Sequence, residues 1–245
     1  MVKKDQELSE IIVRDIHVEV VRKEIKNLHL AVYPPEGHVR VAVPFHVNDD
    51  RVRLAVISKL AWIKKQQADF KKQPRQSERE MLTGESHYFL GKRYLLEVVE
   101  GPGKHRIELK GTRKLLLFVR PGTSLANRQL VLNEWYRDQL KQRVPDLLNK
   151  WQDKIGVKTN DWGIKKMKTK WGSCNITAKR IWLNLELSKK PPECLEYILV
   201  HELVHLLERN HNDRFRAHMD NFLPNWKVYR EMLNSSPLGH EAWRY

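Results

Sequence analysis

Apolar and polar positions change period several times along the chain. Residues 11–21, IIVRDIHVEVV, are rich in β-branched side chains and partly alternate, which predicts a strand. Residues 26–33, KNLHLAVY, and 38–43, HVRVAV, alternate around a PPEG turn and predict a hairpin. From Asn48 or Asp49 the spacing becomes helical, with Val52, Val56, Leu60 and Ile63 on one face. One long helix over about 49–72 is expected, followed by a basic, polar tail and linker. Alternation returns at 86–120, where SHYFLGKRYLLEVVE, HRIELKG and KLLLFVR are separated by Gly and Pro turns. Ser124 or Asn127 then opens a helical stretch to about Ile155, with Pro145 as a candidate kink or interruption. Residues 160–170 and 180–187 alternate again and predict a small antiparallel pair with a turn around 175–179. Phe215, Met219 and Phe222, then Trp226, Tyr229 and Leu233, predict two short amphipathic helices. The expected class is α+β. A β-rich N-terminal domain, 1–123, contains the helix at about 49–72. A C-terminal domain, 124–245, is helical, with a small antiparallel sheet beside its central helix. No internal repeat is visible in the sequence.

One stretch departs from all these patterns. Residues 191–211 read PPECLEYILVHELVHLLERNH. From Cys194 to Leu207 the residues are apolar on nearly every helical face, which marks a buried helix. His201, Glu202 and His205 interrupt it, and buried charge must be paired or coordinated. His201 and His205 lie at i and i+4, one above the other on one face. Two imidazoles so placed can share a metal ion, and Glu202 beside them can act as a base on water. His211 is a natural third ligand if Asn210 takes a left-handed cap conformation and swings the chain back. Asp220 and Glu231 are rival third ligands. Candidate donors to an oxyanion are His218, Tyr229 and Arg214. The HExxHxxGxxH spacing of metzincins is present, but Glu208 stands where that pattern has Gly.

Composition narrows the setting. The 245 residues are enough for one large or two small domains. No apolar run reaches the length of a membrane span, and MVKKDQELSE carries no apolar segment after its lysines, so a cytoplasmic protein is expected. Two cysteines, Cys174 and Cys194, make no disulfide framework. They read as buried thiols, or less simply as metal ligands. A net charge of +15 attracts anions, so non-specific contact with nucleic acid or nucleotides is a candidate property.

Several segments together resemble the YgjP-like HExxH metallopeptidases, and more distantly the SprT-like group. They are TKWGSCN at 169–175, RIWLNLEL at 180–187, PPECLEYILVHELVHL at 191–206, NHNDRF at 210–215 and LPNW at 223–226. In the N-terminal half, VRVAVP at 39–44, KLAWIKKQ at 59–66 and YFLGKRYLLEV at 88–98 are also similar. The resemblance implies His201, His205 and His211 as zinc ligands and Glu202 as catalytic base, and leaves the substrate open. HExxH with a third His is the peptidase form of a zinc site, so a protein or peptide substrate is expected. It leaves Trp171, Ser173 and Asn184 without a chemical role. Three functions remain in view. The first is a zinc metalloendopeptidase, perhaps acting near nucleic acid. The second is a metal-dependent nucleotide pyrophosphohydrolase. The third is a non-catalytic basic nucleic-acid-binding protein with a structural zinc. An intact Glu202 disfavours the third, since a structural site needs no base.

Overall fold

The computed structural model describes residues 6–33, 36–72, 79–167 and 170–235. Pro34 and Pro35 of the PPEG turn, the basic tail at 73–78 and residues 168–169 lie outside them. Two compact units divide between residues 75 and 76. This division lies upstream of the expected boundary at 121–123. The sheet over 86–119 shares one hydrophobic core with the long helix that follows it, through Leu96, Leu115 and Leu117 against Tyr136 and Leu140. Gly and Pro at 121–122 make a turn within a unit, and turn chemistry alone cannot tell that from a linker.

The first unit holds β1 (Glu7–Val13), β2 (Ile16–Arg22), β3 (His29–Tyr33) and β4 (His38–Val43), then α1 (Asp49–Ser58) and α2 (Leu60–Lys72). The single strand expected at 11–21 is a hairpin. Arg14 takes a left-handed φ of 57° and reverses the chain between β1 and β2. The expected 26–33/38–43 hairpin forms as β3 and β4. Asn48 caps α1 by accepting from the Arg51 N–H. The long helix expected to Lys72 breaks at Lys59, whose φ and ψ leave the helical region. Val18, Val41, Val52, Val56 and Ile63 close this unit's core.

The second unit begins with β5 (Ser86–Phe89), β6 (Lys92–Glu100), β7 (Arg106–Lys110) and β8 (Lys114–Val119). Its strand order, β5-β6-β8-β7, repeats the β1-β2-β4-β3 order of the first unit. In both sheets the two outer pairs are antiparallel and the central pair is parallel. The topology thus repeats where the sequence shows no repeat. α3 (Leu125–Ile155) follows, capped by Ser124 and ended by Gly156 in the left-handed region. It runs unbroken through Pro145. Burial of Leu132, Tyr136, Leu140, Val144, Leu148 and Trp151 along one stripe outweighs the hydrogen bond that proline forgoes.

A three-stranded sheet comes next: β9 (Asp161–Lys165), β10 (Gly172–Asn175) and β11 (Arg180–Asn184), in the order β10-β11-β9. β10 and β11 form an antiparallel hairpin turned over residues 176–179, while β9 runs parallel to β11. The sheet is mixed, not antiparallel as expected. A 3-10 turn (Leu185–Lys189) leads into α4 (Pro192–Val204), then α5 (Asp213–Phe222) and α6 (Trp226–Ser235). Among the described residues no helix is long and apolar enough to cross a membrane.

Candidate metal centre

α4 is the buried helix read from the sequence, with Leu195, Leu199, Val200, Leu203 and Val204 all in the core. Its start is held by a close backbone approach. Gly91, at φ +76°, donates its N–H to the Lys189 carbonyl, and a Cβ there would lie 2.8 Å from the Pro191 ring. Glu196 accepts from both Lys150 and the Trp151 indole, tying the helix to α3. The α4 axis is therefore referenced to the sheet and to the long helix before its last turn presents His201 and Glu202.

The helix ends earlier than expected. It stops at Val204 with His205 as its cap residue, and Leu206 and Leu207 donate three residues back to Leu203 and Val204. Asn210 is not in the left-handed region. Tightening of the last turn, rather than a left-handed cap, reverses the chain. Asn212 then caps α5 by accepting from the Phe215 N–H, which sets His211 one residue ahead of that cap.

This brings three imidazoles together. The ligand-capable atoms of His201, His205 and His211 lie within 4.8 Å of one another, and His211 Nε2 is 2.9 Å from His201 Nε2. The ring of Phe215 packs against all three, with centroids 4.9, 4.7 and 4.8 Å away. Phe215 reads from sequence only as a core residue. Its part as a floor for the cluster depends on where α5 starts. His205 Nδ1 faces the Glu208 carbonyl at 3.1 Å. A carbonyl only accepts, so Nδ1 carries the proton and Nε2 keeps its lone pair. Burial pushes His201 down to about 3, with the neighbouring imidazoles adding to the effect, and burial also lowers His205. Three converging imidazoles are a donor set a divalent transition metal takes.

Glu202 is 5% exposed and its carboxyl is pushed up to about 8 by burial, against the pull of the Lys170 charge. Gly172 of β10 faces it so closely that a Cβ would lie 2.6 Å from Glu202 Oε1. The WGSC segment thus needs glycine where the strand crosses the helix. Asn184 positions the rest of that segment. It is buried, donates to the Met167 and Lys170 carbonyls, and accepts from the Met167 and Glu186 N–H groups. The cluster opens into a cleft of about 580 Å³ walled by β10, α4 and α6. Trp171, Ser173 and Cys174 line it from the strand side, Tyr197 and Arg230 from the helices. The Cys174 thiol is raised to about 11 by burial and by the Glu202 charge, and Cys194 is buried in the core, so neither joins the imidazoles.

The rival ligands lie elsewhere. Asp220 accepts from the Trp226 indole and pairs with Lys227, and neither it nor Glu231 belongs to the cluster. His218 stacks on Phe222. His218, Tyr229 and Arg214 are absent from the cleft lining.

The YgjP-like metallopeptidase domain family matches residues 26–236, most of both units. The chain belongs to this family. A YgjP-like metallopeptidase uses a divalent metal and acts on protein or peptide substrates, and the three converging imidazoles fit the first requirement. No curated protein sequence matches the chain. Among solved structures it is similar to the metallopeptidase zymogen of Pyrococcus abyssi abylysin, at 24% identity over 37% of this chain and 90% of that one, with a TM-score of 0.35. The zymogen of Methanocaldococcus jannaschii jannalysin gives 24% identity, 37% and 92% coverage and a TM-score of 0.34.

Proposed function

We infer that this YgjP-like metallopeptidase is a zinc endopeptidase, with His201, His205 and His211 holding the ion and Glu202 as general base. The single observation that carries this reading is the convergence of three imidazoles beside the buried Glu202 carboxyl group at the floor of an open cleft. When bound, zinc supplies a Lewis acid for the scissile carbonyl and for the attacking water. Glu202 takes the proton of that water and returns it to the leaving amine. Its raised affinity for a proton suits a group that must hold one between the two transfers. Among the described residues β10 pairs with β11 alone, and its other edge can hold an extended peptide by strand addition beside the cleft. Arg230 and Tyr197 replace the earlier candidates as donors near the reacting carbonyl, because they line the cleft.

Metal analysis and Glu202→Gln together test the reading. The purified protein is expected to carry one zinc per chain, and His211→Ala to lose it at chelator concentrations the parent withstands. Glu202→Gln should keep zinc and lose peptide hydrolysis by about 10³-fold or more, since the near-isosteric amide cannot accept the proton. Hydrolysis by Glu202→Gln at the parent rate removes Glu202 as base.

A further inference from the structure

The charge around the cleft points to the substrate. Three cations line it, Lys170 before β10, Arg209 in the loop after α4 and Arg230 on α6. Among the described residues the one carboxylate in the lining is Glu202, already committed to proton transfer in the reading above. Elsewhere in this unit several cations stand beside carboxylates: Lys150 with Glu196, Arg180 with Asp161, Lys189 with Glu186 and Lys227 with Asp220, at 2.7 to 3.3 Å. Among the described residues Lys170, Arg209 and Arg230 have no such partner within ion-pair distance. All three are exposed. They come from three separate segments, so no single helix face or sequence run accounts for their meeting. Trp171, Ile176, Ile198 and Leu233 add apolar surface to the same lining.

We propose that the cleft selects extended peptides in which an apolar residue is flanked by Asp or Glu, the acidic side chains pairing with Lys170, Arg209 and Arg230. This rests on the peptidase reading for its substrate class. Solvent-exposed ion pairs change affinity by up to about fivefold each, so a peptide that engages two or three gains on the order of tenfold. The gain is electrostatic between exposed groups and shrinks as salt rises. A bound divalent ion adds positive charge to the same cleft, but the three side chains hold theirs without it.

Fluorescence anisotropy with labelled ten-residue peptides tests this on zinc-loaded Glu202→Gln, which binds without turnover. Three peptides share an apolar centre and differ in flanking Glu, Gln or Lys. The Glu peptide should bind about tenfold tighter than its Gln isostere and the Lys peptide weakest, with the spread narrowing between 50 and 200 mM salt. Adding Arg230→Glu, and separately Arg209→Glu, should cut the Glu-over-Gln ratio at least threefold. A ratio taken within one variant does not depend on the fraction folded. The ratio should persist in chelator. Equal binding of the Glu and Gln peptides overturns the proposal. So does a preference that vanishes with the metal, which assigns it to the ion rather than the rim. A single-stranded oligonucleotide of matched charge that binds the cleft more tightly than the Glu peptide, and loses that binding in Arg230→Glu, also overturns it in favour of nucleic acid. Hydrolysis is read separately in the parent enzyme. Cleavage of none of the three peptides removes the peptidase reading, while the binding order still decides the charge preference.

Discussion

Lys190 stands just before α4 with only 3% of its surface exposed, and its ammonium lies 5.3 Å from the centre of the Trp171 ring. Burial lowers it from 10.5 to about 8, partly offset by the Glu186 charge. The folded protein therefore releases this proton earlier than the unfolded chain does. Below about pH 8 both states carry it and the burial penalty opposes folding in full. Between about 8 and 10.5 only the unfolded chain holds it, so this residue's contribution to stability rises with pH. Relative to Lys190→Met, the parent should gain up to about 3 kcal/mol between pH 7 and pH 10, read by urea unfolding. A stability difference that stays flat over that range rejects the assignment. Such a lysine is invisible in the sequence, because its burial depends on what packs around it and not on its neighbours in the chain. The histidines and Glu202 are legible because their period within an apolar helix is itself the signal.

At the scale of elements, the crossing of β10 over α4 decides how the base is held. A Cβ on Gly172 would lie 2.6 Å from Glu202 Oε1, 2.8 Å from its Cγ and 2.9 Å from Ile198 Cγ2. The carboxylate is the part that can swing away, so the cost falls on its aim more than on the fold. Gly172→Ala should lose stability by about 1–3 kcal/mol. It should lose peptide hydrolysis by about tenfold to a hundredfold, as misplacement of a reacting group by about 1 Å does. Circular dichroism melting and steady-state rates on the same preparation check this, and unchanged rates would falsify the close approach. The turn over 176–179 and the strand after it are foreseen, but the strand that hairpins with β11 is β10 at 172–175, not the expected partner at 160–170. The parallel pairing of β9 with β11 is not foreseen, because alternation tells which face is buried and is blind to strand direction. The same blindness hides the parallel β2–β4 and β6–β8 pairs. α1 and α2 share one apolar period, and the break at Lys59 leaves no mark in it.

For the whole molecule, a net charge of +15 predicts non-specific binding to duplex DNA, with the logarithm of affinity falling by about 0.9 per phosphate contact for each unit of log salt. Anisotropy titration of a labelled duplex from 50 to 200 mM salt measures that slope. No binding even at 50 mM leaves the charge as a matter of solubility. Charge, the buried HELVH helix and most strand and helix positions were determined by the sequence itself, because each is a local property of side-chain type and period. His211 sat between these cases. Its spacing suggested a ligand, but the tightened turn at Leu206 and Leu207 and the Asn212 cap, not an Asn210 cap, bring it to His201. What only the tertiary structure decided are encounters between segments distant in the chain. Gly91 meets Pro191, Gly172 meets Glu202, Phe215 lies under three imidazoles, and Lys170, Arg209 and Arg230 line one cleft. Such contacts depend on strand direction, helix ends and packing angles, and no local pattern of polar and apolar residues encodes those.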